Sequence, residues 1–159
     1  MTTTEAATAT QVYQLYIKAS QEQVWDAITN PEIVAKFFHG ARVESTYEVG
    51  SQLRSLSPDG SDVWGDNTIL ECDPPRRLAY TFVNQSDKYK NEFPALATFV
   101  LEPYGKLVKL TLTHEGFADG SKFFQGISKG WPAILSILKS LLETGQPLEI
   151  PYAALKFED

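Results

Sequence analysis

Between Ala41 and Glu115 apolar and polar positions alternate in six runs: "ARVESTY", "SQLRSLS", "DVWGDNTILEC", "RRLAYTFV", "ALATFVLE" and "LVKLTLTHE". Alternation gives a strand one apolar and one polar face, and the separators "EVGS", "SPDGS", "DPP", "NQSDKYKNEFP" and "PYGK" carry turn residues, so the pattern predicts an antiparallel meander. Upstream, "VYQLYIKA" (12–19) reads as one more strand. Ser20 followed by Gln23 has capping-box spacing, which predicts a short helix through "QEQVWDAIT" with Val24, Trp25 and Ile28 on one face. Asn30-Pro31 interrupts it, and "PEIVAKFF" restarts with Pro31 in a first-turn position.

After the meander the period lengthens. Phe124, Ile127, Trp131, Ile134, Leu138 and Leu141 recur at steps of three or four, keeping phase through Gly126, Gly130 and Pro132. Proline inside a helix costs about 3 kcal/mol and each glycine up to about 1, while six large side chains buried at roughly 1.5–3 kcal/mol each offset that. One kinked helix is therefore expected, with a fresh start at Pro132 as the competing reading. A long helix covering a curved antiparallel sheet makes a grip-like architecture. Gly126 and Gly130, four apart, make room inside it, let a neighbouring backbone approach, or merely lie on the solvent side.

Composition narrows the partners. The 159 residues, 43% of them hydrophobic, suit one domain with a sizeable core. That domain is drawn over residues 11–145, with 1–10 as a disordered N-terminal tail and 146–159 as a C-terminal tail. A net charge of −6, with no basic run longer than Arg76-Arg77, lacks the footprint of a nucleic-acid binder. No run of apolar residues is long enough to span a bilayer, so no integral membrane association is expected. A single Cys72 and the absence of an apolar leader in "MTTTEAATATQ" fit a reducing cytoplasm.

"KASQEQVWDAITNPE", "YEVGSQLR", "ECDPPRRLAYTF", "FVLEPYGKLVKLTLTHEGF" and "KGWPAILSILKSLLETG" occur in that order. By these segments, residues 12–145 resemble the bacterial domains related to the C-terminal domain of the activator of Hsp90 ATPase, within the START and Bet v 1-like superfamily. The resemblance implies an α+β helix-grip fold, β-α-α-β6-α, in which a seven-stranded antiparallel sheet wraps around the C-terminal helix, often over an apolar cavity. The chain departs from the family at "KFFHGA", with Phe37 where relatives often carry Trp and no Pro after Gly40. A pocket mouth of different shape is the consequence expected.

Candidate chemistry is sparse. Two histidines and one cysteine give no zinc spacing, and neither HExxH nor GxSxG occurs, so no metal or cofactor is expected. "GFADGSK" misses the phosphate-loop pattern and reads as a turn into the helix capped by Asp119 or Ser121. His114 closes a strand whose Val108, Leu110 and Leu112 share a face, so it points inward, as a polar anchor, as a base, or as a hydrogen-bonded structural residue. His39 falls in a surface loop. Asp66 shares a face with Trp64, Thr68 and Leu70, which turns a charge inward unless the face is exposed or a bulge near Gly65 resets the register. Cys72 is expected on the Leu70 side as a small buried hydrophobe, and Arg76 and Arg77 at the surface or paired with Glu71.

The aromatic set remains. Trp25, Phe38, Trp64, Tyr80, Phe82, Phe99, Leu112 and His114, with Phe124, Ile127, Trp131, Ile134 and Leu135 on the last helix, either fill the interior or line a cavity. With the resemblance, the expectation is non-enzymatic binding of a small hydrophobic or amphipathic ligand, lipid-like or polyketide-like, with Tyr80 and His114 orienting a polar end. The alternatives are a cyclase or hydrolase using Asp66 or His114 in the same cavity, and a stress-linked module in contact with an Hsp90-type chaperone. The expected assembly is a monomer or weak homodimer.

Overall fold

The structure, a computed structural model, describes residues 8–82, 95–118 and 122–151, with side chains over 10–82, 95–116 and 130–151. The elements run β1 (Thr8–Ile17), α1 (Gln21–Thr29), α2 (Pro31–Phe37), β2 (Arg42–Glu44), β3 (Gln52–Leu56), β4 (Val63–Asp73), β5 (Arg77–Phe82), β6 (Ala95–Tyr104), β7 (Leu107–Ala118) and α3 (Lys122–Thr144). All seven strands join one antiparallel sheet in the order β1-β7-β6-β5-β4-β3-β2. β1 and β2 are its edges, and α3 lies against α1, α2, β1 and β7. This is the α+β helix-grip architecture expected. β1 opens at Thr8, earlier than the alternation suggested, because pairing with β7 extends to Thr8 opposite Ala118.

Local chemistry sets the helix boundaries. Ser20 Oγ accepts the Gln23 N–H at 3.1 Å while the Ser20 N–H donates to Gln23 Oε1 at 2.8 Å, completing the capping box of α1. Asn30 closes α1, donating its N–H to the Asp26 carbonyl, and its side chain caps α2, where Pro31 loses no bond in the first turn. α3 continues through Pro132, and Ser136 Oγ donates to the Pro132 carbonyl at 2.7 Å. Pro132 sits on the exposed side, where a missing backbone bond costs least.

The core lies where the inner faces of β5, β6 and β7 meet α1 and α3. Leu78, Ala97, Phe99, Leu101, Val108, Leu110 and Leu112 line it from the sheet, and Trp131, Ile134, Leu135 and Leu138 from α3. Two irregularities control β4. Ser55 pairs with Gly65 but Leu56 with Val63, and Ile69 pairs with Tyr80 but Glu71 with Ala79. The extra residues, Trp64 and Leu70, are turned outward. Glu71 follows Leu70 to the exposed face, and Cys72 returns to pack against the core.

Candidate functional site

Six rings converge beneath α3. His114 reaches the inner face because Leu110, Leu112 and His114 alternate inward along β7, opposite Leu101, Phe99 and Ala97 of β6. Trp131 stands over it from the buried stripe of α3, and its indole N–H donates to His114 Nδ1 at 2.7 Å. An indole only donates, so Nδ1 presents its lone pair and the imidazole is the neutral tautomer with hydrogen on Nε2. Both residues are almost wholly buried, and burial lowers the His114 pKa to about 3.

Aromatic contacts extend from this pair. Phe82 meets His114 edge-on with ring centroids 4.8 Å apart and lies 5.9 Å from Trp131. Phe99 and Phe38 approach Trp131 in T-shaped contacts at 6.0 and 5.7 Å. Tyr80 stacks on Phe99 at 6.1 Å. Offset and edge-on rings at such distances attract beyond their burial. Phe38, at the end of α2, and Tyr80 and Phe82 of β5 pack against the core while keeping part of their surface accessible.

A polar group lies beside the rings. Burial raises the Tyr80 phenol, with nearby Tyr47 adding to the shift. Tyr47 is pushed up to about 12, first by burial and then by Cys72. Both hydroxyls therefore stay protonated donors at neutral pH. Tyr47 was not foreseen. It comes from the segment between β2 and β3 with φ of 60°, a left-handed turn without periodicity to mark it.

Several expected site residues lie elsewhere. Trp64 is not part of an inner wall: Gly65, Asn67 and Ile69 face inward, leaving Trp64 38% exposed on the opposite side. Asp66 shares that outer face and accepts from Gln52 Nε2. Cys72 is not on the Leu70 side, because the bulge at Leu70 separates them. Its thiol pKa is raised, chiefly by burial. Trp25 is half-buried against the core, and Leu112, Ile134 and Leu135 are buried in it. Phe124, Ile127 and Gly126 lie in α3, and their side-chain environment is outside the described residues, as are Asp119 and Ser121. Arg77 pairs with Glu71 at 2.6 Å, Arg76 with Asp73 at 2.8 Å, and His39 is exposed, as expected of surface residues. Among the described residues no cluster of His, Cys, Asp and Glu could hold a metal, and no helix is long and apolar enough to cross a membrane.

Comparison with known proteins gives this geometry its relatives. The family described as Activator of Hsp90 ATPase homolog 1-like protein matches residues 18–143. Protein MLL2253 from Mesorhizobium loti is 25% identical with a TM-score of 0.71, over 84% of this chain and 96% of that one. The Aha1 dimer from Colwellia psychrerythraea is similar at 20% identity and a TM-score of 0.70, over 86% of this chain and 98% of that one. An HSP90 activator from Plasmodium falciparum shares the fold at 16% identity and a TM-score of 0.70, over 87% and 97% of the two chains. No curated protein matches the chain.

Proposed function

The chain belongs to the Activator of Hsp90 ATPase homolog 1-like family, and from that premise we propose that it binds a small hydrophobic or amphipathic molecule between the sheet and α3 without transforming it. One observation carries the reading. Phe38, Tyr80 and Phe82 meet the buried Trp131, Phe99 and His114, yet are only partly buried themselves. Part-accessible rings beside phenol donors offer both the apolar wall and the few polar groups a ligand site needs. Tyr47 and Tyr80 would direct a polar end, and His114, with Nδ1 held by Trp131, would stiffen the wall.

The enzymatic alternative loses Asp66, which is outside, and finds His114 deeply buried with Nδ1 engaged. A second reading, contact with an Hsp90-type ATPase in stress response, draws its support from the family and from the fold shared with the Plasmodium activator. Pull-down with such an ATPase tests it. The binding reading is tested by native mass spectrometry of freshly purified protein, with organic extraction of any adduct. A lipophilic adduct is the expected result; bare protein that also ignores added lipophilic probes overturns the reading.

A further inference from the structure

The bulge at Leu70 does more than turn that side chain outward. Unbroken alternation from Ile69 would bring Glu71 to the face that carries Tyr80 and leave Cys72 outside. The bulge reverses both. Glu71 stands opposite Ala79 and pairs with Arg77 at 2.6 Å on the exposed side, while Cys72 stands opposite Leu78 and packs against the core. A carboxylate is thereby exchanged for a thiol on the wall that holds Tyr80.

The neighbouring strands sort their charges the same way. Arg54 of β3 is set between Glu44 of β2 and Asp66 of β4, on the face opposite to the buried Leu53 and Asn67. The polar side chains that β4 and β5 turn inward, Asn67, Cys72 and Tyr80, are an amide, a thiol and a phenol. Tyr47 adds a second phenol from the segment between β2 and β3. Its N–H donates to Ser45 Oγ at 3.0 Å. That segment is tied to β4, where the Gly50 N–H donates to the Ile69 carbonyl at 2.8 Å and the Ile69 N–H to the Ser51 carbonyl at 2.9 Å. Ile69 stands opposite Tyr80, so the tie brings Tyr47 close enough to act on the Tyr80 phenol. Among the described residues neither hydroxyl donates to another protein group. Burial first, then Cys72 for Tyr47 and Tyr47 for Tyr80, push both phenols up, whereas a cation within reach would pull them down.

We infer, on the basis of the binding proposed above, that the ligand is uncharged and carries a carbonyl acceptor on an apolar body, which Tyr47 and Tyr80 hold by donated hydrogen bonds. Ketones, esters, lactones and amides share that chemistry. A carboxylate, phosphate or ammonium head brought to this wall would lose its hydration, with no opposite charge among the described residues to replace it. A neutral carbonyl gives up far less and gains the phenol donors.

Displacement of phenylnaphthylamine, an uncharged fluorophore without a carbonyl, tests this at neutral pH. The competitors are the methyl ketone, the carboxylate and the ammonium of one twelve-carbon chain, each kept below its micelle threshold. The ketone should displace the fluorophore at a concentration roughly tenfold or more below that of either ion. Tyr47→Phe and Tyr80→Phe should each weaken the ketone roughly threefold or more relative to the fluorophore, because each deletes a donor and keeps the ring. The comparison of competitors on the wild type does not depend on either variant folding. Carboxylate or ammonium displacing as readily as the ketone would overturn the uncharged class while leaving the binding reading intact. Equal losses of ketone and fluorophore in both variants would overturn it too, since the carbonyl would then have no partner in Tyr47 or Tyr80. A fluorophore that never binds would overturn the binding reading, and the ligand class with it.

Discussion

Trp131 and His114, seventeen residues apart in sequence, are joined by a buried hydrogen bond of 2.7 Å from indole to imidazole. This bond fastens α3 to β7, the neighbour of the edge strand β1. Trp131→Phe removes the donor while keeping most of the ring, so His114 Nδ1 loses that partner in a site closed to bulk water. The expected loss is about 1–3 kcal/mol of unfolding free energy, read from urea midpoints at constant m-value. His114→Leu in the Trp131→Phe background should cost less than in the wild type, since both polar partners are then gone.

The same pair predicts a pH dependence. In the unfolded chain His114 titrates near ~6.5, whereas burial holds the folded form at about 3. Between those values the unfolded state binds a proton that the folded state refuses, so stability falls as pH drops below roughly 6.5 and the effect ends near the folded value. The slope is at most ~1.4 kcal/mol per pH unit. His114→Gln should flatten it, and the difference between the two stability curves isolates this group from the carboxylates. Parallel curves would contradict the assignment.

At the start of α1, Ser20→Ala deletes the acceptor for the Gln23 amide. A loss of about 1 kcal/mol is expected from chemical denaturation. The variant should leave probe binding unchanged, because the cap lies outside the ring cluster.

Substitutions on the outer face of β4 check the orientation of that strand. Asp66→Asn should change stability by less than about 0.5 kcal/mol, and both it and Trp64→Ser should leave the affinity for lipophilic probes unaltered. A large loss of affinity in Trp64→Ser would return that residue to the inner wall.

How much of this was legible in the sequence depends on which physical signal each residue carried. α3 could be read through Pro132 because the stripe Trp131, Ile134, Leu138 and Leu141 keeps phase, and burial of that stripe outweighs one missing bond. The inward turn of His114 followed from Val108, Leu110 and Leu112 on the same strand face. β4 was misread because alternation gives two faces without saying which is inner. Its outer face holds Trp64 and Leu70, while its inner face holds Gly65 and Asn67 beside Ile69. Bulges at Trp64 and Leu70 shift the phase further and carry Cys72 away from Leu70. Tyr47 comes from an irregular turn, and the bond between Trp131 and His114 links separate elements, so neither leaves a periodic trace.

The proposed binding site is tested most directly by energy transfer from Trp131 to an environment-sensitive lipophilic probe. In a Trp25→Phe/Trp64→Phe background Trp131 is the remaining tryptophan of the three in the chain. Saturable quenching of its emission at one probe per chain is expected, with a blue-shifted probe signal that weakens when Tyr80 is changed to Leu. Probe emission that never saturates, or saturates without quenching Trp131, would contradict a ligand site between the sheet and α3.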